Sequence, residues 1–366
     1  MSLYCKLNSI AVDNWRYYKN MPFSRYKESI EKPLDFIESY FYCAGKNEFL
    51  YQSLFDFNQI DNDKQIERAK HTVNTFFLGL YLKDAIDFLK PHENSFLAKG
   101  NNFTWAWFLC SLYHDSFFDI NEEIYPNYSF AKYSKDLIHN ESLIKKYFEK
   151  EKDITTSHNG QINYDHGIVA AEKIFCNYNN MINATLKQNN KQREDLLKGE
   201  DFEHCGLRIN KSTFIAMCKI AKIIACHNIF VLNEHATAKE KAQYFKLPEL
   251  IKGNEKFKYM PNTKNSYEIS SYEKLYFLLA LVDTLEPTKR WIDLKDIDIQ
   301  IDRIQKSEYD IKIDIFTNSG DQDKYIKGII GLKSWLNFID VDDDGKTIYI
   351  DFQNNRNHLQ IAQMNT

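Results

Sequence analysis

The sequence predicts a mainly α-helical protein that ends in a small α+β region. Three observations predict this. Helix breakers are scarce, with 12 Gly and 7 Pro in 366 residues, whereas 26 Phe and 23 Tyr supply large apolar side chains. That composition suits long helices packed on one another and lacks the frequent Gly-rich turns of a parallel α/β sheet. Apolar residues recur at helical spacing in successive segments up to about residue 291, and after Pro287 the period falls to two.

In chain order, residues 1–32 are polar and aromatic with weak periodicity. Residues 34–57 carry Phe36, Ile37, Tyr40 and Phe41 at helical spacing, and Asn58 to Asp63 is a polar break. From Gln65 a helical stripe of Val73, Phe76, Phe77, Leu80, Tyr81 and Ile86 runs to about Pro91. Thr104 to Tyr113 (TWAWFLCSLY) is almost wholly apolar, which fits a buried core helix. Residues 116–160 form the least readable insertion. His166 to Asn177 returns to helix, and its small residues at the start permit close approach to a neighbour. The Asn-, Lys- and Gln-rich stretch 178–210 reads as a solvated helix or loop. Thr213–Phe230 and Ser271–Val282 are two further apolar helices. Residues 292–316 (IDLKDIDIQIDRIQKSEYDIKIDIF) alternate as strands do, Asp321–Phe338 reads as a helix, and Lys346–Phe352 as another strand. Single cores seldom grow beyond about 250 residues, so the chain divides into an N-terminal helical segment (1–64), a helical domain (65–291) and a small α+β domain (292–366).

Charge and composition exclude several classes. With 47 Lys+Arg against 51 Asp+Glu, the net charge of −4 sets up no overall basic field for long nucleic acids. No stretch approaches the roughly 18 apolar residues a membrane helix needs, and the start of the chain has no signal-peptide pattern. The odd number of cysteines, seven, suits reduced thiols better than a disulfide framework. The expected location is therefore the cytoplasm.

The chemistry is carried by histidine. Four of the ten His, namely His71, His114, His166 and His227, lie on or beside the apolar helices, together with Asp115 and Asp283. An acid at the end of an apolar helix is costly to bury unless something pairs with it. Imidazoles and carboxylates gathered in a helical bundle are a common way to hold a divalent metal.

His71, then His114-Asp115, then Asp283 resemble the H…HD…D signature of the HD-domain superfamily of metal-dependent phosphohydrolases. His166 and His227 fall where two-metal members place additional ligands. The resemblance covers roughly residues 65–291 and implies an HD-domain helical bundle. The last core helix, Ser271 to Asp283-Thr-Leu-Glu286-Pro287 with Lys289 and Arg290 beyond it, looks like the closing segment of bacterial diadenosine tetraphosphate hydrolases of that superfamily. The chain departs from the family at Asp115-Ser116-Phe117-Phe118, where a lysine often follows the HD pair.

The resemblance implies one or two divalent transition ions (Fe, Mn, Co, Ni or Zn), with Asp115 as the bridge. His71, His114 and Asp283 would complete the first site, and His166 and His227 the second. Such ions polarise a phosphoryl oxygen and lower the pKa of bound water toward about 7, which makes His114 and Asp115 the catalytic pair. Lys70, Lys289 and Arg290 are the candidate phosphate contacts, and Glu286 a candidate support behind the ligands.

Plainer readings stand beside these. A lone His on an apolar helix is most often a satisfied core residue, and Lys289 and Arg290 are also placed to cap a helix C-terminus. Asp340-x-Asp342-x-Asp344-Gly345 mimics a calcium loop, yet strand-type residues follow it, so a hairpin turn explains it more simply.

The expected function is hydrolysis of a phosphoester or phosphoanhydride bond in a nucleotide or another phosphorylated small molecule. A cyclic-nucleotide phosphodiesterase or nuclease is the alternative within that class, although the charge does not favour nucleic acid. A non-catalytic nucleotide-binding sensor is the alternative of another class. No membrane partner is expected, and a homo-oligomer is compatible with the sequence.

Overall fold

Residues 1–10, 12, 25–37, 62–99, 102–115, 156–158, 161–163, 166–204, 207–227, 271–288, 292–303, 311–317, 323–332 and 339–350 are described by the computed structural model of the chain. Two short helices come first, α1 (Leu3–Asn8) and α2 (Tyr26–Glu31). Of the helix expected over 34–57, residues 34–37 are helical and the remainder lies outside the described residues. The 24-residue α3 (Asn62–Ala85) grows from a proline-free run rich in good helix formers at its start. It stops at Ala85, earlier than the apolar stripe suggested, because Ile86 turns extended and a single 3-10 turn, Asp87–Leu89, follows.

α4 (Asn102–Tyr113) contains no charged residue, and every side chain but Thr104 is buried. A helix apolar all round has to be enclosed by others. α5 (His166–Gln188) continues well past the expected Asn177. The reason is a stripe hidden among its polar residues, in which Ile174, Tyr178, Met181, Ile182, Thr185 and Leu186 are all buried. α6 (Arg193–Lys198) ends at Gly199, whose φ of 106° is left-handed. α7 (Lys211–Cys226) starts from a reciprocal cap, with Asn210 Oδ1 accepting from the Thr213 N–H at 2.9 Å and Thr213 Oγ1 from the Asn210 N–H at 2.8 Å. Two small hairpins, β1 (Thr156–His158) with β2 (Gln161–Asn163) and β3 (Phe202–His204) with β4 (Leu207–Ile209), went unread in the sequence because their strands are too short to show a period. The remaining elements are α8 (Ser271–Leu285), β5 (Ile297–Arg303), β6 (Ile311–Thr317), α9 (Asp323–Gly331), β7 (Ile339–Val341) and β8 (Thr347–Ile350). The described chain is thus mainly helical, with a four-stranded sheet in its C-terminal part. None of the described helices is long and apolar enough to cross a membrane.

Contacts divide the chain into two compact units, one formed by 11–76 and 92–229 and the other by 1–10, 77–91 and 230–366. In the first unit α5 packs along α7, and α4 packs on both. The alanines Ala170, Ala171, Ala216 and Ala221 are buried there and let helix backbones come close. Phe36, Phe76 and Phe108 form a mutual aromatic cluster with centroids 5.4 to 5.8 Å apart. The Trp107 indole N–H donates to the Phe76 carbonyl at 2.8 Å, which fixes α4 against α3.

In the second unit the sheet order is β5-β6-β8-β7, antiparallel throughout. Register opposes Ile299 to Ile315 and Ile313 to Ile348, so one face is a continuous isoleucine layer. Tyr325 of α9 donates its hydroxyl to the Leu285 carbonyl at 2.8 Å, tying α9 to the end of α8. The acidic run before β8 is a hairpin turn. Asp342 N–H donates to Thr347 O at 3.0 Å, and Gly345 takes φ 65° beneath α9. Lys274 of α8 is buried, with Nζ 4.9 Å from the Phe88 ring centre and donating to the Lys90 carbonyl at 3.2 Å. Desolvation lowers its pKa below the ordinary lysine value.

Two stability measurements follow. Phe108→Ala removes the centre of the aromatic cluster and should cost about 3–5 kcal/mol in urea unfolding. Because the folded state holds the Lys274 proton less tightly than the unfolded chain, wild-type stability should rise as pH climbs toward the unfolded lysine value. Lys274→Met lacks that gain, so its stability relative to wild type should fall between pH 7 and pH 10 in parallel thermal melts.

Candidate metal centre

The site is assembled from helix ends. α3 presents His71 from its buried middle, with Arg68 one turn earlier on the same face. α4 runs out at Tyr113, and the next two residues are His114 and Asp115, both buried. α7 runs out at Cys226, and His227 is its C-cap residue, again buried. Carbonyls in the last turn of a helix lack the usual amide four residues on, and both histidine rings reach one; that of Ile224 also receives the His227 backbone N–H at 3.4 Å. His114 Nδ1 lies 3.0 Å from the Ser111 carbonyl and His227 Nδ1 lies 2.6 Å from the Ile224 carbonyl. A carbonyl only accepts, so each Nδ1 carries the proton, and in the neutral ring Nε2 is left with a lone pair.

Those Nε2 atoms converge. His71 Nε2 and His114 Nε2 are 3.2 Å apart. Asp115 Oδ2 lies 3.5 Å from His71 Nε2 and 3.9 Å from His114 Nε2, while Oδ1 lies 3.6 Å from His227 Nε2. Hydrogen bonds from an imidazole to a carboxylate are shorter, about 2.7–2.9 Å. Donors that share one ion at bonds of about 2.0–2.2 Å stand roughly 3.0–3.5 Å apart. The observed spacings are thus nearer to those of ligands around an ion than to those of direct ion pairs. The donor atoms of His71, His114, Asp115 and Asp283 all lie within 4.8 Å of one another. This buried group is chemically fit to hold a metal ion, with nitrogen and oxygen donors of the kind that divalent transition metals accept. Cys110, one turn before His114, is fully buried, and desolvation pushes its thiol pKa far up.

Of the residues singled out in the sequence, His71, His114, Asp115 and Asp283 are brought together, and His227 faces Asp115. His166 is the first residue of α5, and its side chain lies outside the described residues. The neighbouring Gly167 shows where that helix start sits. A Cβ there would fall 2.7 Å from His227 Nδ1 and 2.8 Å from the Ile224 carbonyl, so only glycine admits this approach. Lys70 is exposed. Lys289 and Arg290 lie outside the described residues. Glu286 is fully buried, and its Oε1 accepts from the Thr288 N–H at 3.1 Å and the Thr288 hydroxyl at 2.5 Å, holding the turn after α8. One residue escaped the sequence reading: Arg68 donates from NH1 to Asp115 Oδ2 at 3.3 Å. Its spacing of three from His71 is the signal that would have found it.

Comparisons with protein-family models, with curated proteins and with solved structures return no match. The class of the molecule accordingly rests on its own geometry, a mainly helical chain with a buried His/Asp cluster compatible with a metal ion.

Gly167→Ala forces its methyl into the His227 ring and should cost about 1–3 kcal/mol of stability in chemical denaturation.

Proposed function

We propose that the protein is a metal-dependent phosphohydrolase of HD type that cleaves a phosphoester or phosphoanhydride bond of a nucleotide. The observation that carries this reading is the convergence of His71, His114, Asp115 and Asp283, the residues in the H…HD…D order. A divalent transition ion held by these donors would polarise a phosphoryl oxygen and make water acidic enough to attack near neutral pH.

The chain's own part is positioning. The Ser111 and Ile224 carbonyls hold the His114 and His227 rings in the tautomer that directs Nε2 inward. Asp115 turns Oδ2 toward His71 and His114 and Oδ1 toward His227. That division of one carboxylate suits a bridging role, with His227 and His166 serving a second ion. Lys70, Lys289 and Arg290 are assigned to the substrate phosphate, and the cytoplasm is the proposed location. A non-catalytic nucleotide sensor is the second reading, and the Arg68–Asp115 pair favours it by meeting the carboxylate's charge from within the chain.

Metal analysis of the purified full chain by plasma mass spectrometry, beside Asp115→Ala, tests the proposal. One or two transition ions per chain in wild type should be lost in the variant while its helical circular dichroism persists. Release of phosphate or mononucleotide from a nucleotide panel should depend on the metal and fall at least about 100-fold in Asp115→Ala. No metal after anaerobic reconstitution overturns the proposal; metal without turnover on the panel leaves the sensor.

A further inference from the structure

Arg68 and His71 share one face of α3 and reach the same oxygen. Arg68 NH1 lies 3.3 Å and His71 Nε2 3.5 Å from Asp115 Oδ2. On the metal reading above, which this inference requires, that oxygen is also a ligand of the ion. A guanidinium and a divalent cation at one carboxylate oxygen repel each other while dividing its charge between them. Burial sharpens the conflict, because the side chains of His71, His114 and Asp115 are only 6%, 0% and 5% exposed, and salt screens such groups weakly. Arginine also cannot lose its proton. Titration therefore offers no relief, and the guanidinium has to move. It has somewhere to go, since the Arg68 side chain is 20% exposed where Asp115 is 5%.

We infer that Arg68 is a built-in competitor for the metal, a permanent cation of the chain that balances Asp115 and weakens the cluster's hold on a divalent ion. Loading the site then requires Arg68 to release Asp115. The sign of its removal separates this role from others. Loss of a ligand, or of a residue that merely positions one, weakens metal binding; loss of a competitor tightens it.

The test is calorimetric titration of Mn²⁺ into the chelator-stripped full chain, comparing wild type with Arg68→Met, Arg68→Gln, Arg68→Lys and Asp115→Ala. Arg68→Met should bind Mn²⁺ about tenfold more tightly, while its stripped form melts several degrees lower because Asp115 has lost its counter-charge. Arg68→Gln, also neutral but polar, carries the same expectation and serves if the Met variant does not fold. Arg68→Lys keeps the charge and should stay within about threefold of wild type. Mn²⁺ binding that disappears in Asp115→Ala, yet is unchanged or weaker in both neutral variants, overturns this inference and leaves the metal reading intact. No Mn²⁺ binding by any of the five proteins removes both.

Discussion

The buried charge of Asp115 is the constraint on which the helical unit turns. Its residue is 4% exposed, and taking an ionised carboxylate out of water costs several kcal/mol after relaxation. Arg68, His71, His114 and His227 surround it from three separate helices and so offset that cost. The imidazoles stand off at 3.5–3.9 Å instead of closing to hydrogen bonds. Among the described residues Arg68 brings a guanidinium to this carboxylate, and a cation added between the donors would meet the same charge. Both the proposed chemistry and the proposed competition arise from that alternative.

Helix ends make the ring possible. Carbonyls in a helix interior already accept an amide four residues on, whereas those of the last turn lack that partner. By placing His114 and His227 one residue past α4 and α7, the chain satisfies two such carbonyls and fixes two tautomers with the same bonds. The donors are therefore oriented by backbone geometry and not by rotamer preference alone, which is how supporting hydrogen bonds usually tune metal ligands. Gly167 completes the arrangement by leaving room for α5 to start against the His227 ring.

The scaffold behind these ends is unusually closed. α4 buries nearly every side chain, and residues 71–80 of α3 are buried on every face. The Trp107–Phe76 bond and the Phe36–Phe76–Phe108 cluster lock these two helices together. Cores packed to this density transmit small shifts, so a change one turn from His71 is felt at the site.

Helical class, the positions of α3, α4, α7 and α8, and the alternating strands near the C-terminus were legible because each rests on a local pattern, which for α4 is an almost unbroken apolar run. Residues 178–188 belong to a stretch that reads as a solvated helix or loop; they are helical, but their buried stripe is hidden because buried apolar residues there are outnumbered by Asn, Lys and Gln, and the short hairpins carry too few residues to show any period. His71, His114, Asp115 and Asp283 stood out as ligand types on apolar helices, so the sequence by itself determined which donors the site can draw on. Only the tertiary structure decided that their atoms converge, that Ser111 and Ile224 set the tautomers of His114 and His227, and that Arg68 reaches Asp115. Those facts depend on distances between helices far apart in sequence, and periodicity reports only how one helix faces its own surroundings.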